Sequence, residues 1–485
     1  MIFNNGFISS QLNKYLKGSV SSVGEYNANN TWNFNGNNRY LNNNNRYNSN
    51  FRSRPCSDYI TTGNKSVSLY VVPLEKIQEI EELCKSPKTN YIRFRVNKIH
   101  NIIQVWHNIN NNNIKILSAN VFTAKVPKLR EIIYCNYSDK LAQSFYVFSL
   151  KTYLEENWFD EDSYSCRDNK GVLKAVQKYR YYINIALKEY SYKEIYLASI
   201  DIHRFFLSID SKFLAIEMGK FIQKYLKNHP CYKILLNLTK CLYVINWHEV
   251  AIDRIPTEIS PNIPAEKRLL SNPPYIGVPI GNWPSQIGGN FITTFALVFI
   301  RGLGYNMFVH YTDDTNFVIT DKNKFLKDLP IIERFYMEIL HLELHKKKRY
   351  LQHQSKGITM LGRRIKFTRC IASKMTINSI DSFIYGKIQA CKRNKNYMRY
   401  NAESFSQSIN SYLGLLVHMT MFKYKKWIIN LINRVYNEYF IVDFKEYRKI
   451  NVKKKYTTKQ KYINYIKTRK IQLCKNLEKS MYSAI

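Results

Sequence analysis

The segment FVHYTDDTNFVIT, residues 308–320, limits what this chain can fold into more than any other. Aromatic and β-branched residues flank Asp313 and Asp314 on both sides, which predicts two short strands with the carboxylates at the hairpin tip. Adjacent carboxylates repel unless a cation neutralises them. Alone, an Asp–Asp pair is an ordinary turn signal. A second carboxylate in matching surroundings changes its meaning. In YLASIDIHRFFLSID, residues 196–210, Asp201 ends a short apolar run just before Phe205 and Phe206. Taken singly, Asp201 reads as a helix N-cap. Together the two motifs can share two divalent ions, one easing attack by a hydroxyl and the other clamping a triphosphate and its leaving pyrophosphate.

Between them lies GVPIGNWPSQIGGNFITTFAL, residues 277–297. Gly277, Gly281, Gly288 and Gly289 permit close backbone approach, as a nucleotide or template base would require, while Pro279 and Pro284 stiffen the entry. The plainer reading is a Gly/Pro loop ahead of a helix. His341 and His345 in HLELH stand at i and i+4, one face of a helix, but with no third metal ligand in view.

Charge narrows the partners. The 485 residues carry 73 Lys and Arg against 36 Asp and Glu, a net charge of +37. Nucleic acid is the first candidate for such a surface, because phosphate neutralisation releases counterions. An anionic membrane surface would call for a basic amphipathic helix or a lipid anchor, and neither is evident. No apolar run is long enough to span a bilayer, and the first residues lack a secretory layout, so a cytoplasmic protein with no membrane partner is expected. Nine scattered cysteines form no CxxC pair, which leaves reduced thiols as the expectation.

Residues 1–65 form an Asn-rich extension, with 16 asparagines in the first 50 positions. It reads either as a low-complexity tail or as a nucleic-acid contact, since Trp32, Phe34, Tyr40, Tyr47 and Phe51 interleave with Arg39, Arg46, Arg52 and Arg54. SVSLYVVPL predicts a strand and LEKIQEIEELCK a helix; VFTAKVPKLREIIYC predicts a strand pair, and LAQSFYVFSLKTYLEEN a helix. Beyond 375 the pattern is basic helix, ending in a tail, 441–485, of 13 basic and 3 acidic side chains.

The order SIDIHRFFLSID, GVPIGNWPSQIGGN, YTDD, LELHKKK and GITMLGRRI resembles the palm of bacterial reverse transcriptases, whose equivalents read like DIxxFFxSI, PIGNxTSQ, YxDD and FLG. PKLREI followed by DSYSCRDNKG resembles the fingers of diversity-generating retroelement enzymes and their phage-defence relatives. INSYLGLLVHM, residues 409–419, resembles the thumb helix of that branch. The similarity covers roughly residues 119–425.

This resemblance implies an α+β right-hand polymerase: fingers over 66–200, a palm with an antiparallel sheet over 201–370, and a helical thumb over 371–440. It implies that Asp201 and Asp313, with Asp314 beside them, ligate two Mg²⁺ ions, Mn²⁺ being an alternative. Phe206 would exclude a ribose 2′-hydroxyl. Arg130, with Lys125 or Lys128, would hold the triphosphate of the incoming dNTP, and Gly281 and Gln286 would lie near the base pair. Lys348 would protonate the leaving pyrophosphate, with Lys347 as the register alternative. Met360, Leu361 and Gly362 would form the primer grip. The chain departs from the pattern at Thr312, whose hydroxyl would face the primer end, at Pro284, and at Arg363 and Arg364, expected on backbone phosphates.

The implied activity is RNA-directed DNA synthesis, with an RNA template or structured non-coding RNA and a DNA product, in phage defence. A homo-oligomer or a second defence protein is a further expected partner. Three alternatives stand beside it: the mutagenic enzyme of a diversity-generating retroelement, a defence polymerase that works without a nucleic-acid template, and a catalytically idle RNA-binding scaffold.

Overall fold

The computed structural model describes residues 70–85, 89–124, 129–254 and 263–458. The Asn-rich extension, Lys125, Lys128 and the C-terminal tail beyond 458 lie outside the described residues. Among the described residues no helix is long and apolar enough to cross a membrane.

The architecture is α+β. Helices α1 (Leu74–Leu83), α2 (Thr89–Val96) and α3 (Lys98–Asn110) lead into β1 (Ser118–Ala124), β2 (Arg130–Cys135) and α4 (Tyr137–Asn157). Next come α5 (Val172–Glu189), β3 (Tyr196–Asp201), α6 (Phe205–Ser208), α7 (Ser211–Tyr225), α8 (Tyr232–Tyr243) and β4 (Ala251–Arg254). The long α9 (Trp283–Gly302) precedes β5 (Phe308–Tyr311), β6 (Asp314–Ile319) and α10 (Lys322–Ile339). Short strands β7 (Tyr350–His353), β8 (Ile358–Met360), β9 (Arg363–Ile365) and β10 (Cys370–Ala372) follow. The chain then forms α11 (Lys374–Arg393), α12 (Tyr397–Val417), α13 (Phe422–Tyr436), β11 (Phe440–Val442) and β12 (Ile450–Val452). One sheet has strand order β5-β6-β3-β7, and smaller sheets are β2-β1-β4, β10-β9-β8 and β11-β12. β3 and β7 pair antiparallel, as do β1 and β2, whereas β4 adds to β1 in parallel.

Two compact units divide the chain: Met1–Asn169, Ile200–Thr315 and Lys322–Arg349 in the first, Lys170–Ser199, Asn316–Asp321 and Tyr350–Ile485 in the second. The first is centred on α9, whose side chains are buried almost from end to end. Pro284 falls in its first turn, where a missing N–H leaves no helical bond unmade. Trp158, at the end of α4, stacks on Phe291 with centroids 4.7 Å apart and donates its indole N–H to the Phe291 carbonyl at 3.0 Å. Phe299 stacks on Phe335 of α10 at 4.2 Å. In the second unit, Phe405 of α12 packs on Phe383 and Phe440. Ser373 caps α11 by accepting the Thr376 N–H at 3.2 Å.

Several local expectations change. Tyr70–Pro73, the described part of SVSLYVVPL up to α1, forms no strand; Val72 bonds the Asn110 and Trp106 side chains of α3 instead. HLELH is not helical. α10 ends at Ile339, His341 takes φ 55°, and Leu342 and Leu344 are buried while His341 and Glu343 are exposed, the alternation of an extended segment. His341 and His345 therefore share no helix face. The glycines of the 277–297 segment are crowded by protein: a Cβ on Gly288 would meet Leu214 at 2.7 Å, and one on Gly289 would meet Phe205 at 3.0 Å.

Gly281 is the tightest case that touches the site. Its φ is +124°, and a Cβ would lie 2.8 Å from Ile132 and 2.9 Å from the Ile133 carbonyl of β2. The neighbouring Ile280 carbonyl accepts the Ile133 N–H at 3.0 Å. Gly281→Ala is expected to lower unfolding stability by about 2 kcal/mol through backbone strain and the β2 clash. Denaturant titration checks this, and an unchanged midpoint would contradict it.

Candidate active site

Main-chain bonds bring the segments that carry the carboxylates together. Asp201 is the last residue of β3 and is buried. One step on, the Ile202 N–H donates to the Asp313 carbonyl at 2.9 Å, and the His345 N–H donates to the Asp201 carbonyl at 2.7 Å. Those two bonds tie the β3 end both to the β5–β6 turn and to the segment carrying Lys348. Asp313 occupies the turn and Asp314 opens β6, both half-buried. Lys348 donates to both oxygens of Asp201, at 2.7 and 2.8 Å. Of the two lysines in register, Lys348 is thus the one that reaches the carboxylate.

Burial pushes the Asp313 carboxyl above its usual range, the Asp201 charge adds to this, and Arg130 and Lys348 oppose it. Asp314 is also held well above the usual carboxylate range, by burial first, then by the Asp313 charge and a hydrogen bond with Asp201. Asp313 and Asp314 are therefore both biased toward their neutral forms. Among the described residues no group of three or more His, Cys, Asp or Glu side chains is already gathered as metal ligands; the Lys348 ammonium lies against Asp201 instead. The donor chemistry nonetheless fits a hard divalent cation. Asp201, Asp313 and Asp314 lie close enough to act on one another. Burial followed by that mutual repulsion holds Asp313 and Asp314 above the usual carboxylate range, a setting that a hard cation with oxygen ligands would relieve.

Arg130 begins β2 and is exposed, and the β1–β2 register pairs it with Ala124. Phe206 lies half-buried in α6, its ring 5.0 Å from that of Phe205 and close to Gly289. Gln286 is half-buried in the first turn of α9. Met360, Leu361 and Gly362 belong to the second unit. There β8 and β9 pair Met360 with Arg363, leaving Leu361 and Gly362 as a two-residue turn with φ 49° and 76°. Both central residues at positive φ define the tight hairpin turn that suits strand twist. The Gly362 carbonyl accepts the Ser373 N–H at 2.9 Å and the Thr376 hydroxyl at 2.8 Å. Arg363 is buried, so it does not present its guanidinium to a phosphate; Arg364 is exposed.

A bracket beneath the carboxylate turn has no counterpart in the sequence reading of the site. His310 is fully buried, its N–H donating to the Asp162 carbonyl at 2.8 Å and its carbonyl accepting from Tyr164 at 3.0 Å. Its Nδ1 lies 2.9 Å from the Thr315 hydroxyl. Arg301 binds Asp160 at 2.5 Å and Asp162 at 2.9 Å. Thr312 takes φ 60°, a left-handed conformation that costs a β-branched residue on the order of 1–3 kcal/mol. Its hydroxyl lies 2.6 Å from that of Ser165, not turned outward for a primer. The sequence signals were a histidine inside an apolar strand and an arginine closing an apolar helix.

No family model matches the chain, and no curated protein matches it.

Burial depresses the His310 imidazole to about 4, against a smaller upward pull from Asp160. A group whose folded pKa lies below its unfolded value favours the unfolded state as it protonates. His310 therefore contributes no loss above about pH 6.5, and a loss that grows as pH falls to about 4, reaching roughly 3 kcal/mol. Comparing the unfolding free energy of the native chain and His310→Asn across this window is expected to show a shallower acid slope for the variant. Parallel curves would contradict the assignment.

Proposed function

We propose that this chain is a reverse transcriptase, an RNA-directed DNA polymerase, acting in bacterial phage defence with a non-coding RNA. The observation that carries the reading is the convergence of Asp201, Asp313 and Asp314, with Lys348 bonded to Asp201 and Arg130 near enough to act on Asp313. Five motifs in polymerase order, quoted above, agree with it, as does the net charge of +37. The defence role rests on the resemblance and on the Asn-rich and basic flanks.

In this reading Asp201 and Asp313, with Asp314 beside them, would hold two magnesium ions. Bound there, divalent ions supply charge neutralisation at the attacking 3′-hydroxyl and the departing pyrophosphate. The chain's own residues do the rest. Arg130 offers a planar fork to the triphosphate, which fixes its orientation. The Phe206 ring sits against the nucleotide sugar and leaves no room for a 2′-hydroxyl. Lys348, once released from Asp201, gives its proton to the leaving pyrophosphate oxygen. Rate acceleration comes from alignment and charge, with no covalent enzyme intermediate.

The deciding experiment purifies the full chain, sequences nucleic acid that accompanies it, and supplies labelled dNTPs with Mg²⁺. The native protein is expected to make DNA, and Asp313→Ala/Asp314→Ala to make none. Equal product from both, or none from either with RNA and primer supplied, would sink the reading. Product complementary to a bound RNA distinguishes templated copying from template-free repeats. Lys348→Met is expected to lower kcat by roughly 10²–10⁴-fold, the ordinary contribution of a general acid. Retention of full kcat would remove that role. Phe206→Ala is expected to admit ribonucleotides, read as incorporation of labelled rNTP.

A further inference from the structure

The turn that carries Asp313 is held from below by one short segment. Its flanking strand is bridged to that segment by the His310 bonds to Asp162 and Tyr164, a parallel pairing of Ser163 with His310. At the turn itself the Ser165 hydroxyl lies 2.6 Å from that of Thr312. Thr312 needs such a contact, because its φ of 60° belongs to glycine or asparagine far more than to a β-branched residue.

Ser165 is itself fixed on both sides. Its carbonyl accepts the Asn290 side-chain N–H from α9 at 2.6 Å. Arg167, two residues on, donates to the Ser163 carbonyl at 2.9 Å and forks onto Glu155 at 2.7–3.1 Å. Ser165 is almost fully buried, as is Asn290. A rigidly held hydroxyl thus meets a strained residue just before Asp313.

We propose that Ser165 is a positioning residue: its hydroxyl holds Thr312 in the left-handed conformation that aims Asp313 at Asp201. The inference rests on the polymerase reading for its kinetic consequence, though not for its effect on the carboxylates. Loss of the hydroxyl lets the turn relax and moves Asp313 out of line, leaving the nucleotide contacts untouched.

The test uses the full chain with Ser165→Ala, Thr312→Ala, Thr312→Ser, Thr312→Gly and the double Ser165→Ala/Thr312→Ala. Each is read by kcat and KM for dNTP, by Mn²⁺ affinity from electron paramagnetic resonance, and by thermal unfolding. Ser165→Ala is expected to lower kcat by about tenfold to a hundredfold, the scale of a small misalignment, with KM nearly unchanged. Its Mn²⁺ binding weakens severalfold. Thr312→Ser, which keeps the hydroxyl, retains native values. The double variant is no worse than either alanine single, because the two hydroxyls form one contact. Thr312→Gly relieves the backbone and unfolds no earlier than the native chain, yet is as slow as Ser165→Ala, separating alignment from stability.

Native kcat and Mn²⁺ affinity in Ser165→Ala, beside an inactive Asp313→Ala/Asp314→Ala, would overturn the proposal and leave the polymerase reading standing. Additive losses in the double variant would overturn it too, since the hydroxyls would then act separately. Should the native chain make no DNA, the polymerase reading fails, and the Mn²⁺ comparison alone decides Ser165.

Discussion

Three carboxylates facing one another in a half-buried site are mutually repulsive, and the first unit is arranged so that they cannot move apart. The restraint is main-chain. The Ile202 N–H to Asp313 carbonyl bond and the His345 N–H to Asp201 carbonyl bond fix the strand end, the turn and the lysine segment to each other. Backbone bonds serve this purpose better than side-chain contacts, because a strand end has few soft torsions with which to relieve repulsion. Burial first, and then the neighbouring charges, push Asp313 and Asp314 above the usual carboxylate range: the site keeps its geometry and holds protons more readily instead.

Backbone strain gathers in the same neighbourhood. Arg204, three residues after Asp201, and Thr312, one before Asp313, are both non-glycine residues at positive φ. Each is held by a polar side chain from another segment, Arg204 by Asn272 at 2.7 Å and Thr312 by Ser165 at 2.6 Å. Asn272 in turn donates to the Leu207 carbonyl at 2.7 Å, which steadies the short α6 with Phe206. Strained residues persist only where surroundings over-determine them. Here those surroundings are the connection between α4 and α5, which carries Ser165, and the loop before α9, which carries Asn272.

What the sequence made legible, and what it hid, follows from range. Strand alternation around Asp313 and the apolar run ending at Asp201 are local patterns, and the elements carrying them form where the pattern puts them. β1 and β2, α4, α9 and the helices beyond 375 are likewise strongly patterned. HLELH misled because its spacing fits a helix while its burial alternates with period two, and five residues cannot separate the two periods. The glycines of residues 277–297 announce close approach without saying to what; helix and side-chain neighbours turned out to be the answer at Gly288 and Gly289. Ser165, Asn290 and Arg301 were hidden because their roles exist only across separations of more than a hundred residues. Thr312 shows the limit well: its hydroxyl invites a ligand in the sequence and meets Ser165 in the fold.

Two acidic clusters among the described residues are neutralised by different means, and the difference is one of permanence. Asp160 and Asp162, beneath the turn, face Arg301, whose side chain is only 18 % exposed and which bonds both acids at once. A planar, always charged fork in that setting is a permanent counter-ion, and removing it would strand buried carboxylates. Asp201 faces Lys348, whose side chain is 46 % exposed on a flexible stem. An ammonium so placed holds the charge by a contact that an incoming cation or phosphate can replace, because water can take over its solvation as it leaves. Had the two been exchanged, the bracket would be loose and the carboxylate site permanently closed. The choice of arginine below and lysine above therefore lets one buried cluster stay fixed while the other stays open to exchange.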